Sequence, residues 1–394
     1  MLLLVLAPAA FAGWEFTPAG DQQRNWGATE TTTVGYDDNF NAQQSHPETG
    51  LRVGEEVLLR ASIPMQRLFL AGSYDFHAIS SRSAVSEAVD LSHNLTASAN
   101  YTASPRLTLG LTENYVNTLQ PGAILGPANT SISLVDGGQY TYDAVSGTLN
   151  YSLTERWSVS CSGSWDIWQY EEQQIAVTSD HQDYGASVSA TYALDPRTSA
   201  GLNYQWSENV FVNPGFQAGL DADSHTAFLS LVRRFNPQLS MTLNGGYTVR
   251  YPENGQTSSS PSALGQVTYN YGPSSTLSLT VAESLSASSL GVDRQYSSQQ
   301  NTSLAVDLNH QVTTRLHALV DVTYVYSQFK NSIAGFSSSP DDQALTFHLG
   351  LNYAFRDWAS LVLDYYYTQL SSSDDTLVQP YTRNQINVGT SLTY

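Results

Sequence analysis

Charge is scarce in this 394-residue chain: Asp, Glu, Lys and Arg make up 13%, about half the ordinary share. Basic residues are the scarcer sign, 16 against 35 acidic, for a net charge of −19. Nucleic acid is therefore a poor partner, because phosphate binding needs a basic surface. A single cysteine, Cys161, excludes an internal disulfide framework and a Cys-based zinc site. On a strand it reads as a small packing residue rather than a nucleophile. Long hydrophobic runs are also missing. Beyond the N-terminus no stretch approaches the ~20 apolar residues that a membrane-spanning helix needs. No Ser-His-Asp arrangement falls on one rim, and no His, Glu and Asp set has ligand spacing. The chain does not read as an enzyme, and neither cofactor nor metal is expected.

What fills the space left by charge is Ser, Thr, Asn, Gln, Gly and 24 Tyr, beside an ordinary 41% of apolar residues. A disordered chain would lack the aromatics. This mixture suits a sheet with one apolar face and one wet but mostly uncharged face. The N-terminal run MLLLVLAPAAFAGWEF ends in Ala10-Phe11-Ala12, the small-x-small pattern of a signal-peptidase site. Residues 1–12 read as a signal peptide, 13–24 as a short periplasmic segment, and 25–394 as one domain. With export expected and no helical span, any membrane role must use strands.

A unit of about forty residues recurs: a tight turn, an alternating strand, a polar loop and a second alternating strand. The turns are IPMQR (63–67), ASPR (103–106), LTER (153–156), LDPR (194–197), FNPQ (235–238), YGPS (271–274), VTTR (312–315) and FRDW (355–358). Pro sets a turn and breaks a ladder, so these are hairpin tips. Between them the period is two. In 345–355, Leu345, Phe347, Leu349, Leu351, Tyr353 and Phe355 alternate with Thr346, His348 and Asn352. Such alternation argues for half-buried strands. Eighteen are expected, many longer than the five or six residues usual in soluble sheets. Short turns on one side and long loops on the other are the asymmetry of a bacterial outer-membrane barrel.

Eighteen strands enclose an aqueous lumen unless something fills it. Strand one begins soon after the expected cleavage site, leaving no room for a plug, which speaks against a siderophore-type gated transporter. The phase points Glu56, Asp75, Asp90, Asp166, Asp307, Asp321 and Asp364 inward, with Arg52, Arg60, Arg234 and Arg250, and with His317 and His348. Acids outnumber bases in this set, so mild cation preference or weak selectivity is expected. The other reading is that these charges only solvate the wall and pair locally. The loop runs DADSH (221–225), SPDD (339–342) and SSSDD (371–375) read as solvated loops, with surface Ca²⁺ the alternative. The long third loop, 120–140, carries Ile124, Leu125, Ile132, Leu134 and Val135 and the single charge Asp136. It resembles in position the third loop of general porins, which narrows the barrel. Packing on a neighbouring subunit or on lipopolysaccharide is the alternative. Strict alternation also turns Glu55, Glu113 and Glu283 outward, where an acid is costly in lipid. A bulge, the outer interface or a subunit contact would each account for them.

The chain stops on a strand, NVGTSLTY (387–394). Asn387, Gly389, Leu392 and Tyr394 resemble the C-terminal signal read by the barrel-assembly machinery. The stretch VGYDDNF (34–40) resembles the first-strand motif of a family of outer-membrane β-barrel porins often associated with exopolysaccharide production and export. The resemblance carries no catalytic residues. It implies a component of polysaccharide secretion. The plugless barrel, wide lumen and polar wall read instead as a channel for passive diffusion of small hydrophilic solutes, with saccharides as candidates. Contact with outer-membrane lipid and lipopolysaccharide is expected either way. A structural or adhesive surface barrel is the third reading, and an oligomer is left open.

Overall fold

The computed structural model describes residues 25–40, 44, 46–83, 87–119, 122–125, 132–135, 139–212, 221–253, 256–287, 296–332, 340–374 and 380–394. The expected signal peptide and the segment 13–24 lie outside these residues. The first strands are β1 (Trp26–Asp37), β2 (Gly50–Pro64), β3 (Leu68–Ser83), β4 (Glu87–Ser104) and β5 (Leu107–Leu119). The third long loop contains β6 (Gly122–Leu125) and β7 (Ile132–Val135). There follow β8 (Gln139–Ser152), β9 (Trp157–Tyr170), the helix α1 (Gln173–Ser179), β10 (His181–Asp195), β11 (Thr198–Phe211), β12 (Ala222–Arg234) and β13 (Leu239–Pro252). The last are β14 (Ser258–Gly272), β15 (Ser275–Ala287), β16 (Tyr296–Gln311), β17 (Leu316–Ser332), β18 (Asp341–Arg356), β19 (Ala359–Ser372) and β20 (Tyr381–Thr393).

All strands except β6 and β7 form one eighteen-stranded antiparallel sheet. Chain neighbours pair throughout, and β1 also pairs with β20, so the sheet closes on itself. Closure satisfies every ladder without leaving an edge. β6 and β7 pair with each other.

The expected apolar phase faces outward. Leu229, Val89, Leu51 and Leu202 are 61–65% exposed, an arrangement that water would not tolerate around an entire wall and that lipid rewards. Cys161, expected as a packing residue, is exposed on this outward face. The register shifts in the barrel ladders fall beside short turns, at 102/104, 193/195, 270/272 and 354/356. Through the body of each strand the phase therefore holds.

Five of the eight short turns share one device. A small polar side chain two residues before an Arg or Gln accepts the next backbone N–H groups, a local substitute for ladder bonds. Ser104 Oγ takes those of Arg106 and Leu107, and Thr154 Oγ1 those of Arg156 and Trp157. Asn236 Oδ1 takes those of Gln238 and Leu239, Thr313 Oγ1 those of Arg315 and Leu316, and Asp195 Oδ1 that of Arg197. These five turns thus repeat chemically as well as in spacing. Thr154→Ala or Asn236→Ala is expected to cost about 1 kcal/mol, the net worth of such bonds, read as a lowered urea midpoint of the refolded protein. The same rim carries exposed arginines: Arg67, Arg106, Arg156, Arg197, Arg315 and Arg356, with Arg233 and Arg234 at the foot of β12.

Candidate functional site

The inner wall is the face that alternation leaves to Ser, Thr, Asn and Gln. Serines line its lower part on β9 and β10, where Ser160 pairs with Ser189 (2.6 Å) and Ser162 with Ser187 (2.7 Å). Near the long loops, part of the wall is buried. Gln299 Nε2 donates to Asn301 Oδ1 (2.7 Å) and Ser327 Oγ (2.9 Å), and Ser327 donates to Asn301 (2.7 Å). Asn301, Val325 and Ser327 are 0% exposed. This part of β16 and β17 is thus closely packed.

The rest of the wall carries the charges. On β17–β19, His348 lies between two carboxylates: Nδ1 is 3.2 Å from Asp321 and Nε2 is 3.0 Å from Asp364. Its ring stacks on Tyr366 at 4.2 Å and 6°. Asp307 stands directly across the ladder from Asp321. On β2 and β3, Asp75 Oδ2 pairs with His77 Nε2 (3.0 Å), and Glu56 joins them. Ligand atoms of Glu56, Asp75 and His77 lie within 4.8 Å of one another and could hold a metal ion. Sequence spacing showed no such set, because the cross-strand register assembles it.

A second group lies on β9–β13. Asp166 faces Asp183 across the β9–β10 ladder, and Asn209 donates to Asp183 (2.5 Å). Arg250, 2% exposed, donates to Asn209 (2.6 Å) and Ser224 (3.0 Å). Beside it runs an inward aromatic row. Trp168 packs on Tyr140 (5.4 Å), Tyr142 (4.5 Å) and His181 (5.8 Å), and His181 on Phe211 (5.5 Å). The row lies at the ends of the strands that α1 connects. In that loop Asp180 accepts the Tyr170 N–H (2.8 Å), while burial pushes its carboxyl above the ordinary carboxylate range.

Of the inward set read from the sequence, Asp321, His348 and Asp364 meet, Glu56 and Asp75 meet, and Arg52 meets Asp37. Arg60 lies below Glu56 on the same face of β2, and Asp90 is on the inward face of β4. Arg234 is exposed at the short-turn end of β12, and His317 sits at that end of β17. Asp37, His77, His181, Asp183 and Arg383 were not in that set. Alternation alone would have placed His77, His181 and Asp183. The side chains of Ile124, Leu125, Ile132 and Leu134, and all of Asp136, lie outside the described residues.

The first-strand motif closes the barrel. Asp37, fully buried, accepts bonds from Arg383 Nη2 (2.6 Å) and Nε (3.1 Å), Arg52 Nη1 (3.3 Å), Gln385 Nε2 (2.7 Å) and the Asn39 N–H (3.1 Å). Asp38 accepts both the backbone and side-chain N–H groups of Asn384 (2.7 Å each). Asn39 donates to Thr382 O (2.8 Å). Below this clasp a Cβ at Gly35 would lie 2.6 Å from Ile386 O, and one at Gly389 would collide with Thr32 O. Only glycine lets β20 approach β1 so closely. Of the four residues in the C-terminal signal, Asn387 and Gly389 sit against β1 on the inward phase. Leu392 pairs with Glu30 on the outward phase, and Tyr394 N–H bonds Ala28 O (2.9 Å).

The outward glutamates stay outward. The ladders run without shift past Glu55, Glu113 and Glu283, which excludes a bulge there. Glu55 accepts from Thr32 Oγ1 (2.8 Å). Glu283 accepts from Thr302 Oγ1 (2.5 Å) and from Gln300, which in turn accepts from Lys330. Glu283 thus heads a polar ladder above the apolar residues Leu277, Leu279 and Val281, on the long-loop side.

Residues 236–393 match the model of the outer membrane protein β-barrel domain. With the closed sheet and its apolar exterior, that settles the placement. This is a bacterial outer-membrane β-barrel. No curated protein matches the chain. Among solved structures the barrel is similar to OccK7 (OpdD) of Pseudomonas aeruginosa, at 10% identity over 94% of this chain and 99% of that one, TM-score 0.48. It is similar to OccAB4 of Acinetobacter baumannii, at 11% identity over 95% and 100%, TM-score 0.47. The siderophore receptor PirA of P. aeruginosa matches at 8% identity over 94% and 80%, TM-score 0.43. Likenesses this distant leave the barrel's own wall as the ground for reading its function.

Proposed function

We propose that the barrel is a porin-like channel for passive diffusion of small hydrophilic solutes, with a mild preference for cations. The carrying observation is the half-buried acidic wall around His348, Asp321 and Asp364, continued by Glu56 and Asp75. It lies nearer the short turns than the packed part of β16 and β17 and offers hydroxyls, amides and carboxylates to a solute. A saccharide finds hydrogen-bonding partners along such a wall. The polysaccharide-export reading has less support, since VGYDDNF has a structural task in the clasp that any cargo would leave unchanged. Refolded protein in planar bilayers is expected to give stable open channels whose reversal potential lies on the cation side. Protein that inserts without conducting would overturn the proposal.

A further inference from the structure

The short-turn rim carries the opposite charge to the rest of the molecule. Eight of the 16 basic residues stand exposed there, in a chain of net charge −19. The acids at the same level are Glu155, Asp195 and Asp357, and Asp195 is engaged in capping its turn. Two guanidiniums show which way the rim faces. Arg156 Nη1 donates to Tyr192 OH (3.3 Å), and these two with Thr154, Glu155 and Trp157 line a shallow recess. Arg233 lies over the Phe235 ring, 5.2 Å from its centroid. Trp157 and Tyr192 occupy the outward phase, so the Arg156 guanidinium rests on the lipid-facing aromatics and not in the pore mouth.

A position directly beneath the apolar belt is headgroup depth, where amphipathic aromatic rings settle. In bacterial barrels the short turns lie on the periplasmic side, against a phospholipid leaflet. Guanidinium presents planar paired donors that match phosphate oxygens. We propose that this rim binds the phosphates of anionic phospholipids in the inner leaflet. Glu155, an acceptor in the same recess, favours a headgroup with hydroxyl donors, such as phosphatidylglycerol. The inference goes beyond the channel reading and stands whether or not the lumen conducts.

The test is native mass spectrometry of protein released from vesicles of equal phosphatidylglycerol and phosphatidylcholine. Wild-type protein is expected to retain roughly tenfold more of the anionic lipid, from several cationic contacts acting together. The variant R106Q/R156Q/R197Q/R315Q is expected to lose that preference, and Arg→Lys at the same positions to keep part of it. R82Q, at the long-loop end of β3, is expected to change nothing. Equal retention of the two lipids by wild type would overturn the inference. So would undiminished preference in the quadruple variant, or an equal loss in R82Q. If the quadruple variant does not fold, R156Q alone decides by the same count.

Discussion

Asp37→Ala is expected to destabilise the folded barrel by about 3–5 kcal/mol, the cost of removing one partner from a buried ion pair. Asp37 is fully buried at the end of β1, and Arg383 and Arg52 both reach it from neighbouring strands. Removing the carboxylate leaves two largely buried guanidiniums facing each other with no counter-charge. It also frees Gln385 and the Asn39 N–H. Arg52→Ala removes a single longer contact (3.3 Å) and should cost less. Asp37→Asn keeps an acceptor oxygen but not the charge, and should fall between them. The readouts are the urea midpoint in vesicles and heat-modifiable migration on a gel. A wild-type midpoint for Asp37→Ala would mean that the seam is held by its ladder alone.

The strands were legible because a wall between lipid and water imposes a period of two on every residue it contains. That constraint reached as far as the lipid does. β14 begins at Ser258, four residues before the first clear alternation, because its end above the membrane has no apolar phase to announce it. α1 was not legible: QQIAVTS is one short polar-flanked turn segment, below the length at which helical periodicity can be seen. The inward aromatics ran against the rule that placed everything else, since Tyr140, Trp168 and Phe211 occupy the wet phase. Their warning was that aromatics gather at the long-loop ends of β8, β9 and β11. Which charges meet was a different problem. Asp321, His348 and Asp364 are far apart in the chain and are brought side by side by the register of two hairpins, which phase alone does not specify. The motif VGYDDNF was visible, but its role in closure depended on the other end of the chain.

Neutralising the carboxylates beside His348 is expected to lower cation selectivity more than neutralising any outward acid. Inward acids do not contribute equally. Asp37 is already compensated by Arg383 and Arg52, and Asp183 is hydrogen-bonded to Asn209 in the Arg250 network. Asp321 and Asp364 share one imidazole, and Asp307 stands opposite Asp321 on the ladder. These charges are therefore expected to contribute strongly to the field along this part of the wall. The Debye length is ~10 Å at 0.1 M salt and ~3 Å at 1 M, so their reach across a wide lumen depends on salt. Asp321→Asn/Asp364→Asn should reduce the cation-to-anion permeability ratio roughly twofold at 0.1 M, with the difference fading at 1 M where screening removes it. Glu283→Gln, on the outer face, should leave the ratio unchanged at both. His348→Phe should act the other way, by removing the imidazole that hydrogen-bonds both acids while keeping the acids themselves. Reversal potentials under a salt gradient measure all three. An equal drop in Glu283→Gln would assign selectivity to the mouth of the barrel and its loops instead of to this part of the wall.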